Sequence, residues 1–388
     1  MNQKGFFVGV GAAGNKAVIE LIEKGIITKD DSLLINSTLK DIPDNYRSGA
    51  VQLEGSIGGC GKERTLAKEL TLKALKNGKL SLKDTITNEH ALVVIIASTE
   101  GGTGSGAAPL IAKYYTDVVK IPTHVIAFRG FEEDCRGLQN TIEFFQDLND
   151  KVVVQIIKNA KFIGEANGNK QKAEKASNLE LCNRINVLLG NLLVDSDQNI
   201  DTMDIYKTSN TPGFMTIEYH EIIEKIKNTK EFNDILTDML DSSKTVDTII
   251  PSQKRLAAII NLPENERDVI DFKFSKVRER LGEHVFEYFT HIQYDKNFPK
   301  FIAFISSGMK MPIGEIEEVY EKYKKESNSI NKDEDDFFET ARELRGNDED
   351  SMFDTTIPQI NSGNEEDFFS SFIKAPAVVA APKKRGGK

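Results

Sequence analysis

Short apolar segments that alternate with helical patterns are the feature that most constrains how the first half of this chain can fold. The apolar segments have the length of strands, and the patterns between them have the spacing of amphipathic helices. In chain order, the predicted elements are strand 5–10, helix 15–24, strand 32–36, helix 64–77, strand 91–97, helix 106–118, strand 123–128 and strand 152–157. This alternation is typical of an α/β fold whose helices cover both faces of a doubly wound sheet.

The second half begins with a long helix, predicted over about 177–193. A further region of strands and helices follows at about 205–310. Its predicted elements are 218–226, 256–262, 284–294 and the apolar strand 301–306. We therefore interpret the long helix as a connector between a larger first domain and a smaller second one.

Composition narrows the class of protein. The chain has 388 residues, of which 39% are apolar and 28% charged, so it can bury a substantial core. No segment approaches the roughly 18 uninterrupted apolar residues of a membrane span, so we expect a cytoplasmic protein without a membrane anchor. Cys60, Cys135 and Cys182 lie far apart and lack ligand spacing, so neither a disulfide framework nor a zinc site is expected.

The end of the chain is polarised in charge. Residues 331–370 carry thirteen acidic and three basic side chains, whereas residues 371–388 carry five basic and no acidic ones. Apolar periodicity is lost beyond Gly346, so the sequence predicts a disordered tail over 346–388 that ends in a basic tip, 383–388.

Two glycine-rich segments fall at predicted strand-to-helix junctions. Gly9–Asn15 matches the GxGxxG pattern, in which glycines let backbone amides approach a phosphate, although a plain tight turn would also explain it. Gly101–Gly106 has four glycines in six residues, and Thr103 and Ser105 add hydroxyls. This composition favours a nest of backbone amides around a polyphosphate, with a structural turn as the alternative.

The two commonest nucleotide motifs are not satisfied. A dinucleotide fold needs an acidic residue after the second strand, but that strand ends in Asn36-Ser37-Thr38, which argues against a nicotinamide cofactor. A P-loop needs a hydroxyl residue after its lysine, but Glu63 follows Gly61-Lys62.

The segment Glu100–Gly106 resembles the signature loop of the tubulin/FtsZ superfamily. Four further segments resemble that family's phosphate and ribose loops, in the family's order: 9–15, 36–38, 58–61 and 131–136. Asn199–Asp204 resembles its NxDxxD loop. From spacing alone, Asp201 and Asp204 could share one face of a helix, but Asp201 could equally be a helix cap.

The resemblance implies a GTPase that binds GTP or GDP with Mg²⁺ and polymerises head to tail. In that family one subunit cradles the nucleotide, and the next supplies the carboxylates that polarise the attacking water, here Asp201 and Asp204. Asn183 is assigned to guanine recognition, with Asn178 as the competing candidate. The full set of predicted nucleotide contacts is Gly11, Ala12, Ala13, Asn15, Asn36, Gly58, Gly59, Gly101, Gly102, Thr103, Gly104, Ser105, Gly106, Glu132, Arg136 and Asn183.

The resemblance also implies a domain order. A tubulin-like, Rossmann-type GTP-binding domain is predicted over 1–176, a central helix over 177–198 and a smaller α+β activation domain over 199–312. C-terminal helices over 313–345 and the flexible tail complete this prediction.

Within the superfamily the chain looks most like TubZ, the plasmid- and phage-borne DNA-segregating group, because of its charged C-terminal helices and basic tip. That likeness implies that the tail engages a DNA-bound adaptor similar to TubR, and no direct sequence-specific DNA binding is predicted. A cell-division GTPase of the FtsZ type is the alternative. A non-hydrolysing tubulin-like protein and a dinucleotide-dependent oxidoreductase are more distant ones.

Overall fold

A computed structural model of the protein describes residues 4–56, 58–131, 134–194, 202–241, 253–269, 285, 287–312 and 317–328. The predictions made for Glu132, for Asp201 and for the tail 346–388 lie outside these described residues.

Ten strands of the described residues form one mixed sheet. They are β1 Gly5–Val10, β2 Ser32–Asn36, β3 Ala50–Gln52, β4 Leu92–Ser98, β5 Thr123–Arg129, β6 Val153–Lys158, β7 Gly213–Glu221, β8 Arg255–Asn261, β9 Glu287–Gln293 and β10 Phe301–Met309. Their order across the sheet is β3-β2-β1-β4-β5-β6-β7-β10-β8-β9. All pairs from β3 to β7 are parallel, β10 is antiparallel to β7 and β8, and β8 is parallel to β9.

Helices cover both faces of this sheet. They are α1 Gly11–Glu23, α2 Asp44–Arg47, α3 Arg64–Lys76, α4 Gly102–Tyr114, α5 Cys135–Gln146, α6 Lys170–Leu189, α7 Thr202–Ser209, α8 Thr229–Asp241 and α9, residues 317–328. One apolar core includes α1, α6 and α7, and a second core on the opposite face includes α3, α4 and α5. The three-layer α/β architecture predicted for the first half is confirmed.

Burial on both faces explains why the parallel strands were easy to recognise. In β4, Val94 and Ile96 belong to the α1–α6 core, whereas Val93 and Ile95 belong to the α3–α4 core. A strand covered on both sides needs apolar residues at every position, and it therefore appears as a continuous apolar run.

Several predicted boundaries were wrong, although the elements exist. Helix α1, for example, begins at Gly11, not at 15. Helix α4 begins at Gly102, not at 106, so most of the predicted glycine loop is helical; α6 begins at Lys170, not at 177; and β7 spans 213–221, not 218–226. Helix α5 was not predicted at all. Side-chain caps explain two of these errors: Asn169 accepts from Lys172 N at 3.0 Å at the start of α6, and Asp134 accepts from Gly137 N at 2.8 Å at the start of α5.

The antiparallel strands continue the sheet beyond β7. Helix α8 packs Phe232, Leu236 and Met239 against β8 and β10, which forms a third apolar core. Helix α9 returns to the first half, where Val319 packs between Leu138 and Ile142 of α5. Among the residues that the structure describes, no helix is both long and apolar enough to cross a bilayer.

Candidate nucleotide site

A cavity of about 330 Å³ opens where β1, β2 and β4 end. Ligands of open α/β sheets bind at this carboxyl edge, because the loops between strands and helices converge there. The cavity is lined by Val10, Gly11, Ala12, Ala13, Asn36, Ser37, Thr38, Asp41, Gly58, Gly59, Cys60, Gly61, Ser98, Gly101, Gly102, Thr103 and Gly104. We call it the cradle.

Two helix N-termini face the cradle. Helix α1 begins at Gly11 and α4 begins at Gly102, and in the described residues neither start has a side-chain cap or an acidic residue in its first turn. The first amides of a helix lack intrahelical partners, and the helix dipole adds positive potential there. Two such ends on one cavity make a site for an anion with several oxygens.

The glycines of α4 serve close packing rather than an irregular loop. A Cβ on Gly104 would lie 2.9 Å from the carbonyl oxygen of Ser98 and 3.2 Å from that of Val10. A Cβ on Gly106 would lie 2.4 Å from the carbonyl oxygen of Arg64. Glycine therefore lets the start of α4 lie directly against the strand ends, which brings its amides into the cradle.

The segment 58–61 forms the third wall. Gly58, Gly59 and Gly61 have positive φ angles of 81°, 131° and 50°, which glycine adopts without strain. Asn140 of α5, which is buried, holds this wall to the start of α4, because its Nδ2 donates to the carbonyl oxygens of Lys62 at 2.9 Å and Glu100 at 3.1 Å.

Polar side chains at the base of the cradle form hydrogen bonds with one another. Ser37 Oγ and Thr103 Oγ1 lie 2.7 Å apart, and Asn36 Nδ2 donates to Asp41 Oδ2 at 3.3 Å. Asp41 is the one carboxylate among the described lining residues of the cradle. Among the described lining residues, it therefore offers the only anionic oxygens to a cation that accompanies a polyphosphate.

A second cavity of about 280 Å³ adjoins the cradle and shares Ala12, Ala13 and Ser98 with it. Its remaining lining residues are Lys16, Glu100, Phe128, Gly130, Phe131, Asn159, Glu174, Ser177 and Asn178. The buried Asn159 Oδ1 accepts no hydrogen bond in the described part of the protein. This cavity combines aromatic surface with polar amides, as a base pocket would.

Most of the predicted nucleotide contacts line the cradle, but several lie elsewhere. Asn15 is buried and donates to the carbonyl oxygen of Ile35 at 3.2 Å, so it joins α1 to β2. Ser105 Oγ donates to the carbonyl oxygens of Gly101 and Gly102 within α4. Gly106 packs against α3. These three residues support the cradle from behind.

Arg136 was predicted to contact the nucleotide, but here its guanidinium pairs with Glu63. Its Nη2 lies 2.7 Å from both carboxylate oxygens of Glu63. A second ion pair joins Lys62 to Asp134, and its hydrogen bond holds the pKa of Asp134 below the usual range. The two pairs fasten the 58–63 segment to the start of α5.

The two candidates for base recognition lie on different faces of the helix that carries them. Asn178 lines the second cavity together with Glu174 and Ser177, which share its face of α6. Asn183 lines neither cavity. Four further lining residues, Ser37, Thr38, Cys60 and Gly61, belong to the segments 36–38 and 58–61 that were singled out in the sequence. Asp41 and Ser98 were not predicted, although Ser98 directly follows the predicted strand 91–97.

Asp204 lies in the first turn of α7, at the opposite edge of the sheet from the cradle. Asn210, just after α7, accepts from His124 Nε2 at 2.9 Å, and His124 is the second residue of β5. The second cavity lies beyond the other end of β5, next to Phe128 and Gly130. A seven-residue strand is about 20 Å long. Asn210 and the second cavity therefore lie about one strand length apart, at opposite edges of the sheet.

Comparison with known proteins agrees with this architecture. Residues 5–167 match the family model described as the Tubulin/FtsZ family, GTPase domain. The match covers less than half of the 388 residues, so it shows a likeness to this family in the first part of the chain.

Relatives in the superfamily are distant in sequence. The chain is 25% identical over 240 residues to the tubulin-like protein CetZ1 of Haloferax volcanii, which covers 57% of this chain and 60% of CetZ1. It is 33% identical over 150 residues to the cell division protein FtsZ of Aquifex aeolicus, which covers 35% of this chain and 38% of FtsZ. The chain thus spans about 60% or less of the length of these relatives.

Solved structures extend the likeness of fold over most of the chain. A GTPγS-form protofilament of TubZ from Bacillus thuringiensis serovar israelensis superposes with a TM-score of 0.67 at 15% identity, covering 86% of this chain and 94% of that one. The GDP-bound monomer of CetZ1 superposes with a TM-score of 0.64 at 20% identity, covering 82% and 97%. The tubulin-like fold is therefore confirmed.

Proposed function

We propose that this protein is a GTPase of the tubulin/FtsZ type, which binds GTP in the cradle and its adjoining cavity and hydrolyses it where two copies of the chain meet head to tail. The observation that carries this proposal is the placement of Asp204 at the edge of the sheet opposite the cradle. One copy cannot bring the two together, whereas head-to-tail stacking apposes the cradle edge of one copy to the α7 edge of the next.

The polyphosphate lies on the amides of α1 and α4, with the hydroxyls of Ser37 and Thr103 beside it. The purine occupies the second cavity. Guanine presents N–H donors on one edge. Asn159 Oδ1, which has no partner among the described residues, and the amide oxygen of Asn178 are suited to accept them. Asn178 replaces Asn183 as the residue proposed to read the base.

Asp201 and Asp204 from the neighbouring copy orient and polarise the water that attacks the terminal phosphate. Mg²⁺ would supply charge neutralisation on the phosphate oxygens, and Asp41 beside Asn36 is the group that fits it in the cradle. The carboxylates of one copy and the cradle of the other then form a complete site only in a polymer.

The relatives support the two halves of this proposal. The CetZ1 structure is that of a GDP-bound monomer, and the TubZ structure is that of a protofilament in the GTPγS form.

Base recognition is tested by Asn178→Ala, with Asn183→Ala as the matched control on the same helix. Asn178→Ala should weaken binding of GTP about tenfold or more without weakening binding of ATP, because one or two hydrogen bonds to the base are lost. Asn183→Ala should bind GTP like the wild type. Equal losses in both variants, or none in Asn178→Ala, would reject this assignment.

For the cellular role, we propose a TubZ-type partition filament in the cytoplasm, on the strength of the basic tip 383–388. The curated relatives named above belong to the CetZ and FtsZ groups, and an FtsZ-type role is the competing proposal. A cationic tip binds an acidic surface of a DNA-bound adaptor electrostatically. A pull-down with and without residues 346–388 from cells that carry the host replicon tests this: recovery of a DNA-binding protein only by the full chain supports partition.

A further inference from the structure

Asn140, in the middle of α5, is a buried amide that bonds the backbone of two walls of the cradle at once. Its Nδ2 donates to the carbonyl oxygen of Lys62 at 2.9 Å, and also to those of Glu100 at 3.1 Å and Gly101 at 3.4 Å. Lys62 directly follows the wall 58–61, and Gly101 directly precedes α4. One side chain therefore joins the residues that flank both sets of backbone amides.

Little in the local sequence fixes the shape of the wall 58–61. Three of its four residues are glycines with positive φ angles, and glycine loses more conformational freedom on ordering than any other residue. Lys62 also has a positive φ, 66°. A residue with a Cβ rarely adopts this region unless its surroundings hold it there. The bond from Asn140 to the carbonyl oxygen of Lys62 is a restraint of this kind.

The wall and the start of α4 are also in direct contact. A Cβ on Gly102 would lie 2.9 Å from the amide nitrogen of Glu63, 3.0 Å from Cys60 Cβ and 3.0 Å from the carbonyl carbon of Lys62. The first residue of α4 therefore lies against the wall. A displacement of the wall would change the spacing between its amides and those of α4.

The ion pairs between the wall and α5 hold it less firmly than Asn140 does. The side chains of the pairs Lys62–Asp134 and Glu63–Arg136 are between 43% and 53% exposed. Ion pairs at this exposure contribute little, because water screens them. The amide of Asn140 is buried, where hydrogen bonds compete less with water. We therefore expect Asn140 to be the main restraint on the wall.

We propose that Asn140 is a positioning residue for nucleotide binding, which holds the amides of 58–61 and those at the start of α4 on the same phosphate chain. This inference rests on the proposed function. Asn140 is not among the described residues that line either cavity, so it acts through the backbone that it bonds. The groups proposed to read the base, Asn159 and Asn178, lie just after β6 and on α6. Loss of Asn140 should therefore weaken the contacts to phosphate and spare those to the base.

Asn140→Leu tests the proposal, because leucine is similar in size to asparagine and makes none of the three bonds. Asn261→Leu is the matched control. Asn261 of β8 is also a buried amide, and its Nδ2 donates to three carbonyl oxygens, those of Asp295, Phe298 and Pro299 at 3.0, 3.3 and 2.8 Å. It lies in the antiparallel part of the sheet and is not among the described residues that line the two cavities.

The full chain is used at concentrations too low for assembly. The melting temperature is measured, together with the inhibition constants of GTP, tripolyphosphate and guanosine against a fluorescent GTP analogue. We expect Asn140→Leu to weaken binding of GTP and tripolyphosphate about tenfold or more, while guanosine stays within about twofold of the wild type. Asn261→Leu should leave all three constants within about twofold at a comparable loss in melting temperature.

Three results would overturn the inference: wild-type affinity for GTP in Asn140→Leu, equal weakening of GTP and guanosine in that variant, or the same weakening of GTP in Asn261→Leu. If Asn140→Leu does not fold, Asn140→Ser serves instead, because serine is too short to bond the carbonyl oxygen of Lys62. The same inhibition constants then decide.

Hydrogen exchange of the wild-type chain adds a test that needs no variant. GTP should slow exchange in peptides that cover 58–63 and in peptides that cover 101–106, over the same range of GTP concentration. Slower exchange at 101–106 with no change at 58–63 would overturn the inference. A wild-type chain that binds neither GTP nor tripolyphosphate would instead defeat the proposed function itself.

Discussion

Ser37 Oγ and Thr103 Oγ1 lie 2.7 Å apart in the cradle, and both side chains are buried. Ser37 follows β2, and Thr103 is in the first turn of α4, so the pair joins two walls of the cavity. Two hydroxyls have two protons, and their mutual hydrogen bond uses one. The other proton is available to a phosphate oxygen.

Replacing Thr103 with valine should weaken GTP binding by roughly tenfold or more, because a hydrogen bond to a charged group is lost while the shape of the side chain is kept. Titration with a fluorescent GTP analogue measures this directly. Thr141→Val is the matched control, because Thr141 Oγ1 lies 2.8 Å from Thr99 Oγ1 in a similar buried pair that lines neither cavity. Equal weakening in both variants would mean that Thr103 acts through folding alone.

Gly104→Ala should destabilise the fold by about 1–3 kcal/mol, because its Cβ would press on the carbonyl oxygens of Ser98 and Val10. Gly101→Ala is the control from the same segment: its φ is −75°, and a Cβ there meets nothing within 4 Å. Its cost should stay below about 1 kcal/mol. Urea unfolding of both variants without nucleotide makes the comparison, and similar losses would contradict the packing role of Gly104.

The strands of the first half could be predicted because burial on both faces leaves a continuous apolar signature, as in β4. The start of α4 could not, because four glycines in six residues indicate a loop to any local criterion. The glycines are needed for tertiary packing, because Gly106 lies against the backbone of α3, forty residues earlier in the chain.

The cradle was predicted in outline from its glycines, but its polar partners depend on distant residues. The guanidinium of Arg136 pairs with the carboxylate of Glu63, and no local sequence pattern reveals that pairing. Asn178 and Asn183 are about 140° apart around an α-helix, so the choice between them depends on which face of α6 meets the cavity.

Protein stability should fall as the pH drops from about 6.5 to about 4, because burial lowers the pKa of His124 to about 4 in the folded state. The unfolded chain binds this proton near pH 6.5, so over that interval it holds more protons than the folded chain. Above pH 6.5 this effect does not reduce the free energy of unfolding. Near pH 4 it lowers the free energy of unfolding by as much as about 3 kcal/mol.

His124→Gln should flatten this part of the pH profile, because an amide can still donate to Asn210 Oδ1 but does not titrate. Urea midpoints at pH 7 and pH 5 for both proteins test the assignment. An equal drop in the variant would place the responsible proton elsewhere.

Asp204→Asn should bind GTP and polymerise, but lose at least tenfold in turnover, because an amide is a poor acceptor for the proton of the attacking water. The filaments should persist after the wild-type ones have disassembled. Asp234→Asn, at an exposed position of α8, is the control and should behave like the wild type. Normal phosphate release by Asp204→Asn would remove this carboxylate from the mechanism.

The central claim is that the site is complete only between two copies of the chain, because the cradle and Asp204 lie at opposite edges of one sheet. Phosphate release per subunit, measured against protein concentration with light scattering recorded in the same samples, tests it most directly. We predict almost no release below a critical concentration and a steep rise above it, together with the scattering. A release rate per subunit that is the same at all concentrations would show that one copy hydrolyses GTP alone, and would contradict the claim.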